Sequence, residues 1–417
     1  MITSVLGSLP RPKMIERAYN IGKDIYSDHN IIKIFELCAS NIIKSQEQVG
    51  INIVNDGEIQ RPGYISVFYA SFEGYLPTAI GEPFILDDGS SWHHTENRSY
   101  KIWQNPRTDI NYMPCRALNS SIVVDKISFK KQNVKNTIFH RESEVIKKYA
   151  RYGTKITLPS PYLLMRSSWH PLFSRDAYNK KEDYLYDIVL HYKELIRDIE
   201  NIGIDVIQFD DSGITRFLAK ELRKRISLDK EIEYYVETLN EIFRSIKKSS
   251  TAVHICRSDN HKKIPWGTCG LLNKIFKSLN VSQFGIELNE NDPEDILPLK
   301  DFRDNAFLLL GIIDSSHRIL DHPKKMFDLL KKVNKYVDIS RIILSSSCGF
   351  SPNISGISAL GSYDEFRTDP VPIYKLKNLA MFAQAVSNYG LNNLALKHAE
   401  NQYLSLNKIH ENLLKYE

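Results

Sequence analysis

The chain has 417 residues, of which 42% are hydrophobic and 25% charged, enough apolar material for a sizeable core and no sign of a disordered class. A net charge of +5 gives no electrostatic case for nucleic acid or a membrane surface as partner. Five widely spaced cysteines, Cys38, Cys115, Cys256, Cys269 and Cys348, make no disulfide framework and fit a reducing compartment. The amino-terminal Met-Ile-Thr-Ser-Val-Leu-Gly-Ser lacks a basic segment followed by an apolar one, and no apolar run reaches the roughly 18 residues of a spanning helix. A cytoplasmic protein is therefore expected.

Short apolar runs alternate with longer amphipathic ones, the pattern of repeated β-then-α units. The strand candidates are Ile2–Leu6, Ile51–Asn55, Lys155–Leu158, Val206–Phe209, Ala252–Cys256, Phe284–Glu287, Phe307–Ile313 and Ile342–Ser345. With helical crossovers between them they predict an α/β fold, a (β/α)8 TIM barrel spanning 1–417 as one domain. The connection from Glu58 to Lys155 is far longer than an ordinary crossover, which predicts an insertion or lid over 76–150 between strands 2 and 3. Within it His93 and His94 are adjacent, face apart on an extended chain and read as a solvated loop. Arg141–Arg151 reads as the returning helix. Across Tyr184–Ile202, Leu185, Ile188, Val189, Tyr192, Leu195, Ile196 and Ile199 recur at helical spacing, and Gly203 stops the helix. The tail, Tyr374–Tyr416, reads as helical, with Lys375–Ala385 closing the last α unit.

In such a barrel the active site lies at the C-terminal ends of the strands. The residues at those ends are Ser8, Asp56 and Glu58, Ser160, Asp210 and Asp211, His254 and Cys256, Glu287, Asp314, and Cys348. They are chemically capable groups rather than the Gly, Asn and Pro of ordinary turns, and one shared pocket accounts for them. His254 and Cys256 are two apart, so on a strand they face the same way. Glu287 and Cys348 end two further runs, and four such ligands from three strands suit a tetrahedral zinc. Ordinary buried Cys and His side chains are the alternative. Cys269 lies in Trp266-Gly-Thr-Cys-Gly270, a loop-to-helix entry rather than a strand end. Asp210 and Asp211 also suit a helix N-cap pair.

Taken in order, the motifs resemble the cobalamin-independent methionine synthase superfamily, and within it the short single-barrel bacterial members. Val5-Leu-Gly-Ser8-Leu-Pro-Arg is similar to the family's opening Val-Gly-Ser-x-Pro-Arg. Asp56-Gly-Glu58-x-x-Arg61 is similar to its Gly-Glu-x-x-Arg element, and Lys155-Ile-Thr-Leu-Pro-Ser-Pro161 to the third strand of the short members. Ile207-Gln-Phe-Asp210-Asp211 stands where the family has Ile-Gln-x-Asp-Glu-Pro. His254-Ile-Cys256-Arg257 and Cys348-Gly349-Phe350 resemble its His-x-Cys-Arg-Gly-Asn and Cys-Gly-Phe elements. The resemblance implies Zn2+ on His254, Cys256, Glu287 and Cys348, and implies that Ser8, Glu58 and Asp210, with Asp211 beside them, hold the amino-acid part of a thiol such as homocysteine. It implies a methyl donor such as methylfolate, and a leaving-group proton donor whose aligned slot is Ser316, with His317 one residue later.

The implied activity is zinc-dependent methyl or alkyl transfer to a thiol. Other readings keep the zinc–thiolate chemistry with a different electrophile, or bind zinc and thiol without turnover. The departures Asp211-Ser212, Ser258-Asp259 and Ser346-Ser347 fall at pocket positions and leave the substrate open; the sequence leaves a homo-oligomeric state open as well.

Overall fold

A computed structural model of the chain describes residues 1–12, 14–15, 28–61, 63–77, 84–93, 98–100, 121–257, 264–289, 291–350 and 369–415. Eight parallel strands, β1 (Ile2–Thr3), β2 (Ile53–Val54), β3 (Gly153–Pro159), β4 (Val206–Asp211), β5 (Ser250–Ile255), β6 (Gln283–Glu287), β7 (Phe307–Ile313) and β8 (Ile342–Ser346), form one sheet. Their spatial order is β2-β3-β4-β5-β6-β7-β8-β1, and a parallel bridge between Ser4 and Ile53 joins the two ends. The predicted (β/α)8 barrel is thus the fold. β1 and β2 are shorter than the predicted runs because the chain leaves the ladder early to build polar turns. There Asn55 Nδ2 donates to Gly7 O at 3.0 Å and Gly57 N to Asn55 Oδ1 at 3.0 Å.

The main barrel helices are α1 (His29–Gln48), α2 (Ile138–Tyr149), α3 (Lys181–Ile202), α4 (Leu228–Phe243), α5 (Leu271–Ser278), α6 (Pro323–Val333), α7 (Pro370–Tyr389) and α8 (Asn393–Lys415). α2 packs between α1 and α3, so the stretch expected to return from the insertion is the barrel's own helix after β2. Gly203, at φ 97°, caps α3 as expected. The tail is helical as expected and forms two helices: at Gly390 the backbone turns to φ 74°, a conformation that favours glycine, and α8 packs back against α7. Among the described residues no helix is long and apolar enough to cross a membrane.

Strand alternation divides the core. Phe209 meets Tyr192 of α3 and Phe243 of α4, and Phe284 meets Phe276 of α5, so these positions face outward under the helices. Each such side chain contributes about 1.5–3 kcal/mol by burial. The alternate positions turn into the lumen, which has two halves. Leu6, Leu309 and Ile343 form an apolar cluster, and Gly285 faces it, since a Cβ there would stand 3.1 Å from Leu6 Cδ2. Lys155, Thr157, Gln208, Asp210 and His254, all buried, make the polar half.

Between β2 and β3 the insertion carries an antiparallel pair, Phe72–Pro77 with Ser121–Phe129. It also carries a small antiparallel sheet of Phe84–Ile85, Ser91–His93 and Arg98–Tyr100. His93 lies in one of these strands rather than in a loop, and His94 lies outside the described residues. The turn after Ile85 is anchored by ion pairs. Asp87 Oδ1 receives Arg166 at 2.8 Å and Lys181 at 2.6 Å, and Asp88 Oδ2 receives Arg225 at 2.8 Å. Arg166 follows the C-terminal end of β3 and Arg225 that of β4, so the insertion is tied to the same end of the barrel as the strand-end residues.

Candidate metal centre

The β4–β5 register pairs Asp210 with His254 and Asp211 with Ile255. Cys256 lies one residue past β5, where its N–H still donates to Asp211 O at 2.8 Å, so the pairing that orients His254 also holds Cys256. Cys348 stands in the turn after β8. The ligand atoms of His254, Cys256 and Cys348 all lie within 4.8 Å of one another, and the two Sγ atoms are 3.6 Å apart. A disulfide requires about 2.05 Å. Two thiolates on one tetrahedral zinc, each about 2.3 Å from it, stand about 3.8 Å apart. His254 Nδ1 is 3.4 Å from Asp210 Oδ1, while its Nε2 is buried with no hydrogen-bond partner among the described residues. A carboxylate on Nδ1 and a bare Nε2 is how a metal-binding imidazole is commonly set up. One imidazole and two thiols suit a borderline-soft divalent ion.

The electrostatics agree. Contact with Cys256, then burial, then the charges of Cys256, Glu287 and Asp210 push the Cys348 thiol well above its ordinary pKa. Burial opposes charge on His254, but the Asp210 contact and the negative field of Cys256, Asp210 and Glu287 outweigh it and raise its pKa. The site is negative in character.

Glu287, expected as the fourth ligand, is not one of the three clustered groups. Its Oε1 stands 3.7 Å from Arg257 Nε. Arg257 is held by Asp295 at 2.7 Å and lies over the Trp266 ring at 4.9 Å, which fixes its guanidinium beside Glu287. The Glu287 carbonyl accepts Trp266 Nε1 at 2.7 Å, so its backbone is anchored while its carboxylate remains within the field felt by His254 and Cys348.

Beside this cluster lie the expected substrate residues. Glu58 has φ 55°, left-handed for a non-glycine residue, a strain of about 1–3 kcal/mol that concentrates at functional sites. Three contacts impose it. Glu58 N donates to Asp56 Oδ1 at 3.0 Å, Thr157 Oγ1 donates to Glu58 Oε1 at 2.7 Å, and Arg61 Nη1 is 3.4 Å from the same oxygen. Burial, then Glu142, pushes the Asp56 carboxyl well above its ordinary pKa. Ser8 is folded against the Cys348 turn: Phe350 N donates to Ser8 O at 2.7 Å, and a Cβ on Gly349 would stand 2.5 Å from Ser8 Oγ. Asp210 Oδ1 accepts Gln208 Nε2 at 2.6 Å.

Asp211 is fully buried, and its carboxylate accepts from Ser160 Oγ and, at 2.7 Å, from Ile214 N. This is the turn-capping arrangement that its sequence context also suits. Cys269 lies apart, its Sγ 3.8 Å from Phe217 O. His317 is 41% exposed, with Nδ1 3.3 Å from Lys375 Nζ and Nε2 3.6 Å from Asp314 Oδ2. An ammonium only donates, so Nδ1 accepts and the ring proton sits on Nε2. Sequence reasoning passed over Lys155, Thr157 and Gln208 as pocket groups. Their signal was the alternation Lys155-Ile-Thr-Leu, polar on one face and apolar on the other.

The mouth of the barrel thus gathers an imidazole, two thiols and a pair of carboxylates, a donor set of the kind that could hold a metal ion. Residues 165–355, which carry the His–Cys–Cys cluster and make up a little under half of the chain, match the family described as "Cobalamin-independent synthase, Catalytic domain". Over 328 residues the chain is 22% identical to the Bacillus subtilis protein YxjH, described as uncharacterized, covering 76% of this chain and 78% of that one. It is 22% identical over 353 residues to a methionine synthase of Pyrococcus horikoshii, covering 83% and 85%. Among solved structures it is similar to a B12-independent methionine synthase from Shewanella in complex with selenomethionine, with a TM-score of 0.63, 18% identity and coverage of 99% and 98%. A putative vitamin-B12-independent methionine synthase from Listeria monocytogenes gives 0.60 at 18% identity, covering 91% and 98%. At such identity the structural likeness speaks for the fold.

Proposed function

We propose that the protein transfers a methyl group to the sulfur of an amino-acid thiol such as homocysteine, at a zinc ion held by His254, Cys256, Cys348 and Glu287. The observation that carries this reading is the pair of thiols 3.6 Å apart beside a buried imidazole whose Nε2 has no partner among the described residues. Bound zinc supplies a lowered pKa for the substrate thiol. With two thiolates and a carboxylate around a +2 ion the formal charge is about −1, which favours sulfur attack on carbon over water activation.

This chain's residues do the rest. Glu58 and Asp210 accept the substrate ammonium in charge-assisted hydrogen bonds. Asp210 Oδ1 is engaged by Gln208, and Oδ2 is the oxygen presented to the ligand. Ser8 holds the amino-acid part against the Cys348 turn. Asp211 caps the turn and does not touch substrate. The thiolate sulfur forms the S–CH3 bond as the N–CH3 bond of a methylfolate-type donor breaks. The bonding pair stays on that nitrogen, which takes the proton from His317 Nε2 as His317 Nδ1 takes one from the Lys375 ammonium behind it at 3.3 Å, so the ring stays neutral. The names of the Pyrococcus and Shewanella relatives support the same assignment.

Purified protein assayed with homocysteine and methylfolate should form methionine, lose the activity to a chelator and regain it with zinc. Turnover that survives complete metal removal, or none in fully zinc-loaded protein, sinks the reading.

A further inference from the structure

The polar half of the lumen contains a cation with no role in the proposed reaction. Lys155, on β3, is 1% exposed. Its Nζ donates to the neutral acceptor Gln208 Oε1 at 3.0 Å, and Gln208 Nε2 donates to Leu6 O at 2.7 Å and Asp210 Oδ1 at 2.6 Å. Two charged groups act on the ammonium, Asp210 on β4 and Glu58 after β2. Burial opposes them and prevails, so the pKa is pushed down to about 7.

Glu58 and Asp210 are also the carboxylates assigned to the substrate ammonium, so two cations contend for one anionic pair. Among the described residues Asp210 and Glu58 are the charges that act on Lys155, so a second buried positive charge beside it carries a large desolvation cost. Shedding a proton removes that cost without breaking the local structure, because a neutral amine still donates to Gln208.

We propose that Lys155 is the exchangeable cation of the amine pocket: the part of it that carries a proton in the ligand-free protein gives that proton up when the substrate ammonium enters, and the side chain remains as a neutral amine bonded to Gln208. The balance is Lys155–NH3+ plus R–NH3+ in water, giving Lys155–NH2, bound R–NH3+ and one H+ in solvent, with no electrons moved. The inference rests on the amino-acid-thiol reading of the site. It makes Lys155 a determinant of selectivity, since only a ligand that brings an ammonium group drives the exchange.

Methionine is the suitable probe, because it has the amine and no thiol proton of its own. Calorimetric titration of the purified protein in buffers of different ionisation enthalpy counts the protons released. With a group titrating at about 7, about three-quarters of a proton per ligand should leave at pH 6.5 and about a tenth at pH 8, with affinity roughly fourfold weaker at the lower pH. Lys155→Met should bind methionine without this release and without this pH slope. 4-(Methylthio)butanoate, which lacks the amine, should release none from wild type, a readout that holds even if Lys155→Met fails to fold. Methionine binding with no proton release, equal release in Lys155→Met, or release by the amine-free analogue overturns the role of Lys155 and leaves the amine pocket standing. Failure of methionine to bind at all removes both.

Discussion

Replacing Asp210 by Asn changes one atom in the middle of a chain of contacts, and each contact sets part of the outcome. Gln208 Nε2 donates to Oδ1 at 2.6 Å, so the Asn side chain must keep its oxygen there or leave a buried donor unmet. Its NH2 then occupies the Oδ2 position and points a donor at the substrate ammonium. The lost hydrogen bond to a charged group is worth about 1.5–3 kcal/mol, a weakening of roughly ten- to hundredfold in affinity for homocysteine. The same oxygen faces His254 Nδ1 at 3.4 Å. A neutral acceptor there makes Nε2 less basic, and loss of such a carboxylate partner lowers metal affinity by about 10–100-fold. Zinc should therefore remain bound in ordinary buffer but be extracted by a weaker chelator than wild type requires. Calorimetry with homocysteine and with 4-mercaptobutyrate, beside chelator competition followed by elemental analysis, reads both effects. Wild-type affinity for homocysteine, or an equal loss for the thiol without an amine, refutes the assignment of Asp210.

Cys256→Ala or Cys348→Ala should reduce zinc well below one per chain while Cys269→Ser leaves it unchanged, as measured by elemental analysis; the reverse pattern would reject the cluster. Gly349→Ala places a Cβ 2.5 Å from Ser8 Oγ and 2.9 Å from Ser8 N, and because backbone must move it should cost about 1–3 kcal/mol and weaken substrate binding; an unchanged urea midpoint and affinity contradict this. Arg61→Met leaves Glu142, fully buried and bridged to Arg61 at 2.8 Å, without its counter-charge, so stability should fall by about 3–5 kcal/mol, read from the same denaturation curve; a loss below 1 kcal/mol counts against it. The folded-state pKa of His254 is raised, so in metal-free protein its contribution to stability is present below the unfolded value and lost as pH rises through the folded one. Protons compete with metal at Nε2, and the apparent zinc affinity, read by chelator competition, should accordingly weaken as pH drops below that raised value; an apparent affinity with no pH dependence would count against His254 as a ligand.

The barrel was legible because its signals are local. Alternating apolar runs mark strands, helical spacing marks α3, and His254 and Cys256 two apart on a strand share a face whatever the rest of the chain does. The less legible features depend on contacts between distant segments. Glu287 ends its strand as expected, but the direction of its carboxylate depends on Arg257, whose own position depends on Asp295 and Trp266. Asp211 suited either a substrate contact or a cap, and only the approach of Ser160 and Ile214 N decides for the cap. The tail is helical as expected, but its division into two helices at Gly390 shows only when the two pack face to face. Lys155 went unassigned because a lysine beginning an apolar strand also fits a solvent-facing position; its burial follows from which face closes inward.

The turns after β1, β2 and β8 form one unit through backbone contacts rather than three adjacent loops. Leu9 N donates to Gly57 O at 3.1 Å and Phe350 N to Ser8 O at 2.7 Å. Gly7 and Gly349 lack the Cβ atoms that would meet Glu58 Oε1 at 3.1 Å and Ser8 Oγ at 2.5 Å. The β1 turn is thus clamped between the segment that carries Glu58 and the segment that carries Cys348. In the proposed reaction Glu58 holds the nitrogen of the substrate and Cys348 helps to hold the ion that receives its sulfur, so the β1 turn fixes the span between the two ends of one small molecule. Such fixing lowers the entropic cost of bringing sulfur to the methyl carbon. It also gives the strain at Glu58 a physical cause: a left-handed backbone there is tolerated because Asp56, Thr157 and Arg61 hold it from three sides, and relaxing it would move the amine acceptor away from the thiol site.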